Sequence, residues 1–362
     1  MNSGSRWKRI AAPALLAALS FGCSRPSRPE HVVEAPPGGV LLRGAGATFP
    51  SLLYKKWFAE YQRTHPGVAI SYDAAGSGEG VSRFNGHGIK EADAVDFGAS
   101  DAAMTDEQIS QTARGALLVP VTAGAVAIAY NIPKFEGKLK LSRDALAGIF
   151  LGRITNWNDP AIARTNPGAS LPDLTIVTVA RLDASGTTFA FSKHLDAISQ
   201  EWSARYGTAT LIDWPGDTMR VRGNENVAGR IEHSDGAIGY VGFEFANRLG
   251  LKMALVQNRD GNFVGPGAQG GFAALAAMDL PDNLRLFVAD PAGRDAYPIV
   301  TLSWILLYKN YDDPRKASAL RDLFSWCLNE GQNFAAGLGY VPLPPNISSK
   351  ASAALGGNAA SD

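Results

Sequence analysis

The sequence predicts an α/β protein with two domains behind an N-terminal export segment. Its 362 residues correspond to two domains of ~150 residues each plus the two ends of the chain. Hydrophobic residues make up 46% of the chain, which is enough for a large core. Strand-like and helix-like segments alternate along the sequence, and this alternation is typical of α/β proteins.

The composition excludes several classes of protein. The 34 Lys and Arg residues are balanced by 34 Asp and Glu residues, so the chain lacks the positive surplus of a nucleic-acid-binding protein. Cys23 and Cys327 are too few for a disulfide framework or for a zinc site built from thiolates. The five histidines are scattered, and none forms an H-x-x-x-H pair with a Glu. We therefore expect no metal and no other cofactor.

The N-terminus has the form of an export signal. Basic residues precede an apolar run over residues 10–21, which is shorter than the ~20 residues of a membrane-spanning helix. Gly22-Cys23 follows this run and resembles the lipobox of bacterial lipoproteins. This predicts a signal peptide over residues 1–22 and a lipid on Cys23, the alternative being ordinary cleavage nearby with an incidental cysteine. An exported chain lies in the periplasm or cell envelope, and a lipid on Cys23 would anchor it to a membrane.

The two ends of the mature chain are predicted to be flexible. Residues 23–41 are rich in proline and glycine and show no apolar periodicity, which is typical of a linker. Residues 349–362 are small and polar, and we expect a flexible tail there.

The first helix is the clearest element of the predicted fold. Pro50 suits the first turn of a helix, and Leu53, Trp57 and Tyr61 then repeat every four residues, so that one face is apolar. Further helices are predicted from the capping box of Thr105 with Gln108 and from residue 185 onward. Strands are predicted over residues 68–72, 94–97, 117–121, 125–132 and 176–179, and Gly124 is expected to separate the third from the fourth.

Four junctions between a strand and a helix carry the candidate chemistry. They cover residues 44–50, 76–80, 98–101 and 181–187, and each combines small or hydroxyl residues with backbone near a helix start. The first turn of a helix has unpaired N–H donors and a partial positive charge, which favour an anion. Arg181 could hold two oxygens of that anion. The alternatives are plain tight turns and a surface ion pair.

These junctions resemble known sequence motifs. Three segments resemble motifs of the PstS family, the high-affinity phosphate-binding proteins of bacterial phosphate ABC transporters. These segments are Gly44-Ala45-Gly46-Ala47-Thr48-Phe49-Pro50, Asp96-Phe97-Gly98-Ala99-Ser100-Asp101 and Arg181-Leu182-Asp183-Ala184-Ser185-Gly186-Thr187. The resemblance extends from about residue 42 to residue 348. Shorter matches in the same order include Gly223-Asn224-Glu225.

The resemblance implies a type II periplasmic-binding-protein fold, with two α/β domains, a hinge and a ligand cleft between the domains. One domain would comprise residues 42–122 and 298–348, and the other residues 123–297. Such a protein binds inorganic phosphate, delivers it to a membrane-embedded ABC permease and catalyses no reaction. We expect it to be a monomer.

The phosphate ligands of the family carry over to positions of this sequence. The resemblance implies that phosphate contacts Thr48, Phe49, Ser77, Asp101, Arg181, Ser185, Gly186 and Thr187. It also implies that Asp183 pairs with Arg181 and holds its guanidinium in place. Glu79 departs from the family pattern, because relatives often have small residues there, and we expect its side chain to point to solvent. We expect a buried, ionised Asp101 to accept a hydrogen bond from the O–H of phosphate, whereas sulfate has no O–H to donate, so the site should prefer phosphate.

Two other functions remain as alternatives. The first is a receptor for another oxyanion such as sulfate or molybdate. The second is a phosphatase-like enzyme on the same scaffold, although Ser185 lacks a G-x-S-x-G context and lies nine residues before His194 on one predicted helix. The G-x-G-x-x-G pattern over residues 265–270 has no convincing strand before it, and Pro266 interrupts the approach. We therefore do not expect a dinucleotide there.

Overall fold

The computed structural model describes residues 1–2, 33–86, 89–90 and 93–356. Cys23 and the predicted signal peptide beyond residue 2 lie outside these residues, as does the predicted linker up to residue 32. Residues from Val33 onward belong to a single structural unit.

In the described part of the chain, the strands form a large sheet and a small one. Their bounds are β1 (Val40–Gly46), β2 (Val68–Asp73), β3 (Phe97–Ser100), β4 (Ala116–Tyr130), β5 (Lys140–Leu141), β6 (Val177–Arg181), β7 (Met219–Val221), β8 (Ala237–Gly242), β9 (Lys252–Met253), β10 (Leu255–Gln257), β11 (Phe263–Val264) and β12 (Val300–Tyr308). The large sheet has the order β2-β1-β3-β12-β4-β8-β6-β7, with β9 paired to β4 beside this path. The small sheet has the order β11-β10-β5.

The helices connect the strands and cover the sheet, as expected for an α/β protein. Their bounds are α1 (Ser51–Thr64), α2 (Ser77–Asn85), α3 (Asp106–Ser110), α4 (Arg143–Phe150), α5 (Pro160–Ala163), α6 (Gly186–Ile198), α7 (Gln200–Arg205), α8 (Gly223–Glu232), α9 (Phe243–Arg248), α10 (Ala268–Leu275), α11 (Pro314–Leu328) and α12 (Pro345–Gly356). The predicted capping box starts α3, where the Thr105 hydroxyl accepts from the Gln108 N–H at 3.2 Å and the Gln108 side chain accepts from the Thr105 N–H.

The register of the sheet brings the ends of two sets of parallel strands together. β1 is parallel to β2 and β3, and β6 is parallel to β7 and β8. β4 lies between the two sets, pairing through β12 with the first and directly with β8 of the second, antiparallel in each step. The two sets therefore run toward each other along β4, and the carboxyl ends of their strands meet over its middle. Ligands of open α/β sheets bind outside such carboxyl ends.

Strand β4 differs from the prediction of two strands separated at Gly124. The structure has one continuous strand from Ala116 to Tyr130. Gly124 does not interrupt this strand. A glycine is needed there for packing, because a Cβ would lie 2.5 Å from the Phe49 ring. The pairing of β4 with β12 is irregular at Ser303 and Trp304, beside the middle of β4.

The predicted apolar face of α1 lies in the core. Leu53 and Trp57 are fully buried, Tyr61 is 2% exposed, and Trp304 of β12 is 1% exposed. Trp57 and Trp304 each donate their indole N–H to a backbone carbonyl, those of Gly331 and Leu284. These aromatic residues are therefore structural.

Both predicted flexible ends are shorter than expected. Val40 and Leu41 already pair with β2 as the start of β1, so the linker ends before them. The predicted tail over residues 349–362 is helical as far as Gly356 in α12. Ile347, Ala351 and Leu355 repeat every four residues and are buried, which gives α12 an apolar face that the small residues between them concealed.

The glycine pattern over residues 265–270 lies in a different context from a dinucleotide site. A short strand, β11, does precede it, contrary to the prediction. This strand forms an antiparallel hairpin with β10, whereas a dinucleotide fingerprint follows a strand of a parallel βαβ unit.

Candidate functional site

The four junctions predicted from the sequence meet at one place in the structure. Thr48 and Phe49 follow β1, Ser77 begins α2, Asp101 follows β3, and residues 181–187 link β6 to α6. All of the predicted site side chains are at least nine-tenths buried, including those of Arg181, Asp183, Ser185 and Thr187 in the last junction. The junctions around β1 and β3 thus face the junction after β6 across the middle of β4.

Ser77 joins the two sides of this site. Its hydroxyl oxygen accepts from the backbone N–H of Asp101 at 3.2 Å and from that of Gly186 at 3.1 Å. The Ser77 hydroxyl donates to Asp101 Oδ2 at 3.4 Å. A hydroxyl has two acceptor positions and one proton, so these three contacts use all of its hydrogen-bonding capacity.

Asp101 is a buried carboxyl surrounded by hydroxyl donors. Ser303 of β12 donates to its Oδ1 at 2.7 Å, and Thr301 donates to its backbone carbonyl at 3.0 Å. Burial raises the pKa of Asp101 to about 7, although Ser303, the charge of Arg181 and Ser77 each act to lower it. The expectation that Asp101 is simply ionised is therefore incomplete, because near neutral pH both of its forms are accessible. Ser303 and Thr301 were not among the predicted site residues.

Arg181 and Asp183 form a buried ion pair at the end of β6. Arg181 Nε donates to Asp183 Oδ1 at 2.8 Å, and its Nη2 donates to Oδ2. Asp183 Oδ1 also accepts from the Gly223 N–H at 3.1 Å. Burial acts to raise the pKa of Asp183, but hydrogen bonds and charge from Arg181 outweigh it and hold the pKa below its usual value. The pairing predicted for these residues is present, and it fixes the plane of the guanidinium.

The first turn of α6 supplies further donors. The Ser185 hydroxyl caps the helix by accepting from the Thr188 N–H at 3.2 Å, which leaves its own proton for another acceptor. A Cβ on Gly186 would lie 2.4 Å from the Asp101 Cβ, so only glycine allows this approach. The N–H of Thr187 in the same turn has no acceptor four residues back within the helix.

Asn224 is a site residue that the prediction did not include. It begins α8 with Gly223 and is fully buried. Its side-chain nitrogen donates to the Thr48 hydroxyl at 2.9 Å and to the Thr187 hydroxyl at 3.1 Å. Its side-chain oxygen accepts from the Gly242 N–H at 2.9 Å. The resemblance in residues 223–225 was a signal for it, but the contacts that give it a role come from three separate elements.

Glu79 points away from the buried site, as expected. Its carboxylate accepts from Arg83 Nε at 2.8 Å, and its side chain is 46% exposed. Arg83 also pairs with Asp73 at 2.8 Å. Glu79 and Arg83 line a cavity of about 770 Å³ that adjoins Thr48 and Asp183. The negative charge of Glu79 is therefore held at the mouth of the cleft by Arg83.

The site contains no activated nucleophile among the residues described. His194 is 1% exposed and has no hydrogen-bond partner within that part of the chain. Its nearest acidic group is Asp290, with 3.9 Å between Nδ1 and Oδ1, and Ser185 is occupied as a helix cap. In residues 33–86, 89–90 and 93–356, His, Cys, Asp and Glu form no group of three able to hold a metal ion. The arrangement combines many donors with one buried carboxyl acceptor, which suits a small oxyanion that carries a proton.

Comparisons with known proteins relate this chain to a family of binding proteins. A family model described as a PBP superfamily domain matches residues 32–330. The phosphate-binding protein PstS of Xylella fastidiosa is 38% identical over 85% of this chain and 83% of its own length. PstS of Pasteurella multocida is 37% identical over 85% and 88%. A solved high-affinity periplasmic phosphate-binding protein, PfluDING with bound phosphate, superposes with a TM-score of 0.73 at 23% identity, covering 87% and 93% of the two chains. The fold is therefore that of type II periplasmic binding proteins, with two α/β domains around a cleft.

Proposed function

Since the chain belongs to the PstS family of phosphate-binding proteins, we propose that it binds inorganic phosphate in its cleft and delivers it to an ABC permease for import. The observation that carries this proposal is the buried Arg181–Asp183 pair beside Asp101. Arg181 provides a fixed positive charge for the anion. Asp101, which is 2% exposed, provides one acceptor for a hydrogen bond from the anion.

The proposed contacts follow from the donors that converge on the cleft. The guanidinium of Arg181 would bind two phosphate oxygens. Hydroxyl and backbone N–H groups would bind the others, and the Asp101 carboxylate would accept a hydrogen bond from the phosphate O–H. The proposed donors besides Arg181 are Thr48, Phe49, Ser185, Gly186 and Thr187. Ser77 is proposed as a further contact, which requires its proton to turn from Asp101 Oδ2 to the phosphate.

We also propose a domain division that places the two sides of the site in different domains. Residues 42–122 and 298–348 would form the domain that holds Ser77 and Asp101, and residues 123–297 the domain that holds Arg181 and the start of α6. The pairing of β12 with β4 is irregular beside Thr122, which is the partner of Ser303. This supports a hinge at the proposed crossing near residues 122–124, because such irregularities bend a strand.

We propose binding without catalysis, since among the described residues the Ser185 hydroxyl caps α6 and has no hydrogen bond to a histidine or a carboxylate. An assay with a chromogenic phosphomonoester tests this, because turnover by purified protein would favour the phosphatase-like alternative. Calorimetric titration of the mature protein with phosphate and with sulfate tests the ligand. We expect tight phosphate binding that sulfate does not match at neutral pH, and Arg181→Ala should weaken it well over tenfold. Comparable affinities for both anions would favour a receptor for another oxyanion.

The proposed location is the periplasm or cell envelope, with a lipid on Cys23 as the anchor. Among the described helices, none has the length and apolarity needed to cross a bilayer. Cys23→Ser should release the protein from membranes in fractionated cells. A soluble wild-type protein whose N-terminus differs from residue 23 would contradict the anchor. We also propose a monomer, which light scattering of the purified protein tests.

A further inference from the structure

Ser303 has a contact with the site that its place in the core strand β12 does not require. It is fully buried, and its hydroxyl lies 2.7 Å from Asp101 Oδ1. Thr301 lies two residues earlier on the same face of β12 and bonds the Asp101 backbone carbonyl instead. The two hydroxyls therefore hold different parts of the same residue.

The direction of the Ser303 hydrogen bond follows from the chemistry of its neighbours. An ionised carboxylate can only accept, so Ser303 must donate its single proton to Asp101. The phenol of Tyr54 lies 3.4 Å from the Ser303 oxygen and must then donate to it. Protons thus point from Tyr54 to Ser303 and from Ser303 to Asp101.

The other carboxylate oxygen has the same arrangement. Ser77 accepts from the N–H groups of Asp101 and Gly186, so its proton is left for Asp101 Oδ2. Both oxygens of Asp101 therefore receive one hydroxyl donor each. The lone pairs that remain are acceptors for a ligand proton.

We propose that Ser303 is a positioning residue that sets the selectivity of the cleft, by holding Asp101 as an ionised acceptor that requires an O–H on the bound anion. This inference rests on the proposed binding of phosphate. Without the Ser303 proton, Asp101 would protonate more readily and could donate to sulfate, which has no proton of its own.

The ionised form of Asp101 is stabilised by its hydroxyl donors and by the charge of Arg181. Burial raises the pKa of Tyr54, Tyr72 and Tyr340, so that these phenols are neutral near pH 7, and it also raises the pKa of the Glu244 carboxyl. Arg181 supplies the positive charge. Because that charge is the same for every anion, it cannot by itself distinguish phosphate from sulfate.

The test is competition of sulfate against labelled phosphate over a range of pH. In the wild type, sulfate should compete better as pH falls and Asp101 becomes protonated. In Ser303→Ala, the midpoint of this change should lie at a pH higher by about one unit or more. At a given pH, this shift corresponds to about tenfold or more in relative sulfate affinity. Phosphate itself titrates over this range, but it does so identically for every variant, so the difference between the midpoints of two variants isolates Asp101.

Thr301→Val is the matched control, because it removes a hydroxyl that bonds the backbone and not the carboxylate of Asp101. It should leave the midpoint in place even if phosphate affinity changes. Tyr54→Phe removes the donor behind Ser303 and should move the midpoint in the same direction by a smaller amount, which provides a second variant should Ser303→Ala fail to fold.

The outcomes separate this inference from the proposed function. A wild-type protein that binds no phosphate contradicts the proposed function. A protein that binds phosphate but keeps the wild-type midpoint in Ser303→Ala, or in Tyr54→Phe if the former does not fold, overturns the role of Ser303. An equal shift in Thr301→Val would also overturn it, because the effect would then be structural.

Discussion

The hydroxyl oxygen of Ser77 accepts a hydrogen bond from the backbone N–H of Gly186 at 3.1 Å. These residues begin α2 and α6, which lie on opposite sides of the cleft. The Gly78 N–H adds a second such bond, to the Ala184 carbonyl at 3.0 Å. The first turns of the two helices are thus joined directly, and opening of the proposed hinge would break both bonds.

Ser77→Ala should therefore weaken phosphate binding and destabilise the closed form. We expect a loss of about tenfold in affinity, since one buried hydroxyl that serves both sides of the cleft is removed. Small-angle scattering should show the wild type becoming more compact on adding phosphate, and the variant responding only at higher phosphate concentration. Ser82→Ala on the exposed face of the same helix is the control. A wild-type radius that stays constant through saturation would contradict closure.

Gly186→Ala should abolish tight binding with little effect on thermal stability. The added methyl group would lie 2.4 Å from the Asp101 Cβ and 2.7 Å from its Cα, so that α6 could not approach Asp101. Gly229→Ala in α8 is the matched control, since a Cβ there meets no atom within 4 Å. It should keep phosphate affinity and gain ~0.5–1 kcal/mol of stability from the helix preference of alanine. Calorimetry and thermal melts of both variants measure these effects, and tight binding by Gly186→Ala would disprove the proposed approach.

Arg181→Lys should bind phosphate much more weakly than the wild type although the charge is kept. Lysine lacks the planar fork that Asp183 holds through two contacts, and each hydrogen bond to a charged group contributes ~1.5–3 kcal/mol. Asp183→Asn should weaken binding in the same direction. Arg220→Lys on the neighbouring strand β7, where the arginine pairs with exposed Asp213, is the control and should bind as the wild type does. Equal affinities of Arg181→Lys and wild type would show that no bidentate contact exists.

His194 should make the fold less stable in acid. Burial, with the nearby charge of Arg143, lowers its pKa from 6.5 to about 3, so the folded form excludes a proton that the unfolded chain takes up below pH 6.5. Stability is therefore lost as pH falls from 6.5 toward 3, by up to ~1.4 kcal/mol per pH unit for this group.

His194→Gln should show a smaller loss of unfolding free energy than the wild type between about pH 7.5 and about pH 5. Denaturant unfolding at the two pH values measures the difference. His233→Gln is the control, because that side chain is 77% exposed. Identical losses in wild type and His194→Gln would mean that His194 is not buried as a neutral group.

Glu244 should act in the opposite direction. Burial, aided by the negative charge of Asp101, raises its pKa well above the ordinary value, and neither carboxyl oxygen has a partner among the described residues. Its protonated form stabilises the fold at low pH, and this contribution is lost as pH rises through the raised pKa.

Glu244→Gln should therefore unfold like the wild type below pH 4.5, the ordinary pKa of the group, and become progressively more stable than the wild type as pH rises above it. Thermal melts across this range give the measurement. The control is Glu225→Gln, which changes an exposed carboxylate paired with Arg248 at 2.7 Å. A wild type as stable as Glu244→Gln at every pH would contradict this assignment.

The sequence by itself determined the α/β class, the helix start at Pro50, the capping box at Thr105 and the motifs that carry the site. These features depend on local chemistry: apolar periodicity, helix caps, and the residues that a strand-to-helix junction needs. The pairing of Arg181 with Asp183 also spans only two positions, and a motif can contain it.

The tertiary structure alone decided the contacts that reach across the chain. Ser303 lies 202 residues from Asp101, and Asn224 lies 176 residues from Thr48, so their roles depend on how β12 and α8 are placed against the junctions. The pKa of Asp101 likewise depends on burial by distant elements. The local sequence predicts a break at Gly124, because the Phe49 ring that packs on this glycine belongs to another segment. Local pattern thus specified the elements and their ends, whereas burial, proton placement and close approach are properties of groups that only folding brings together.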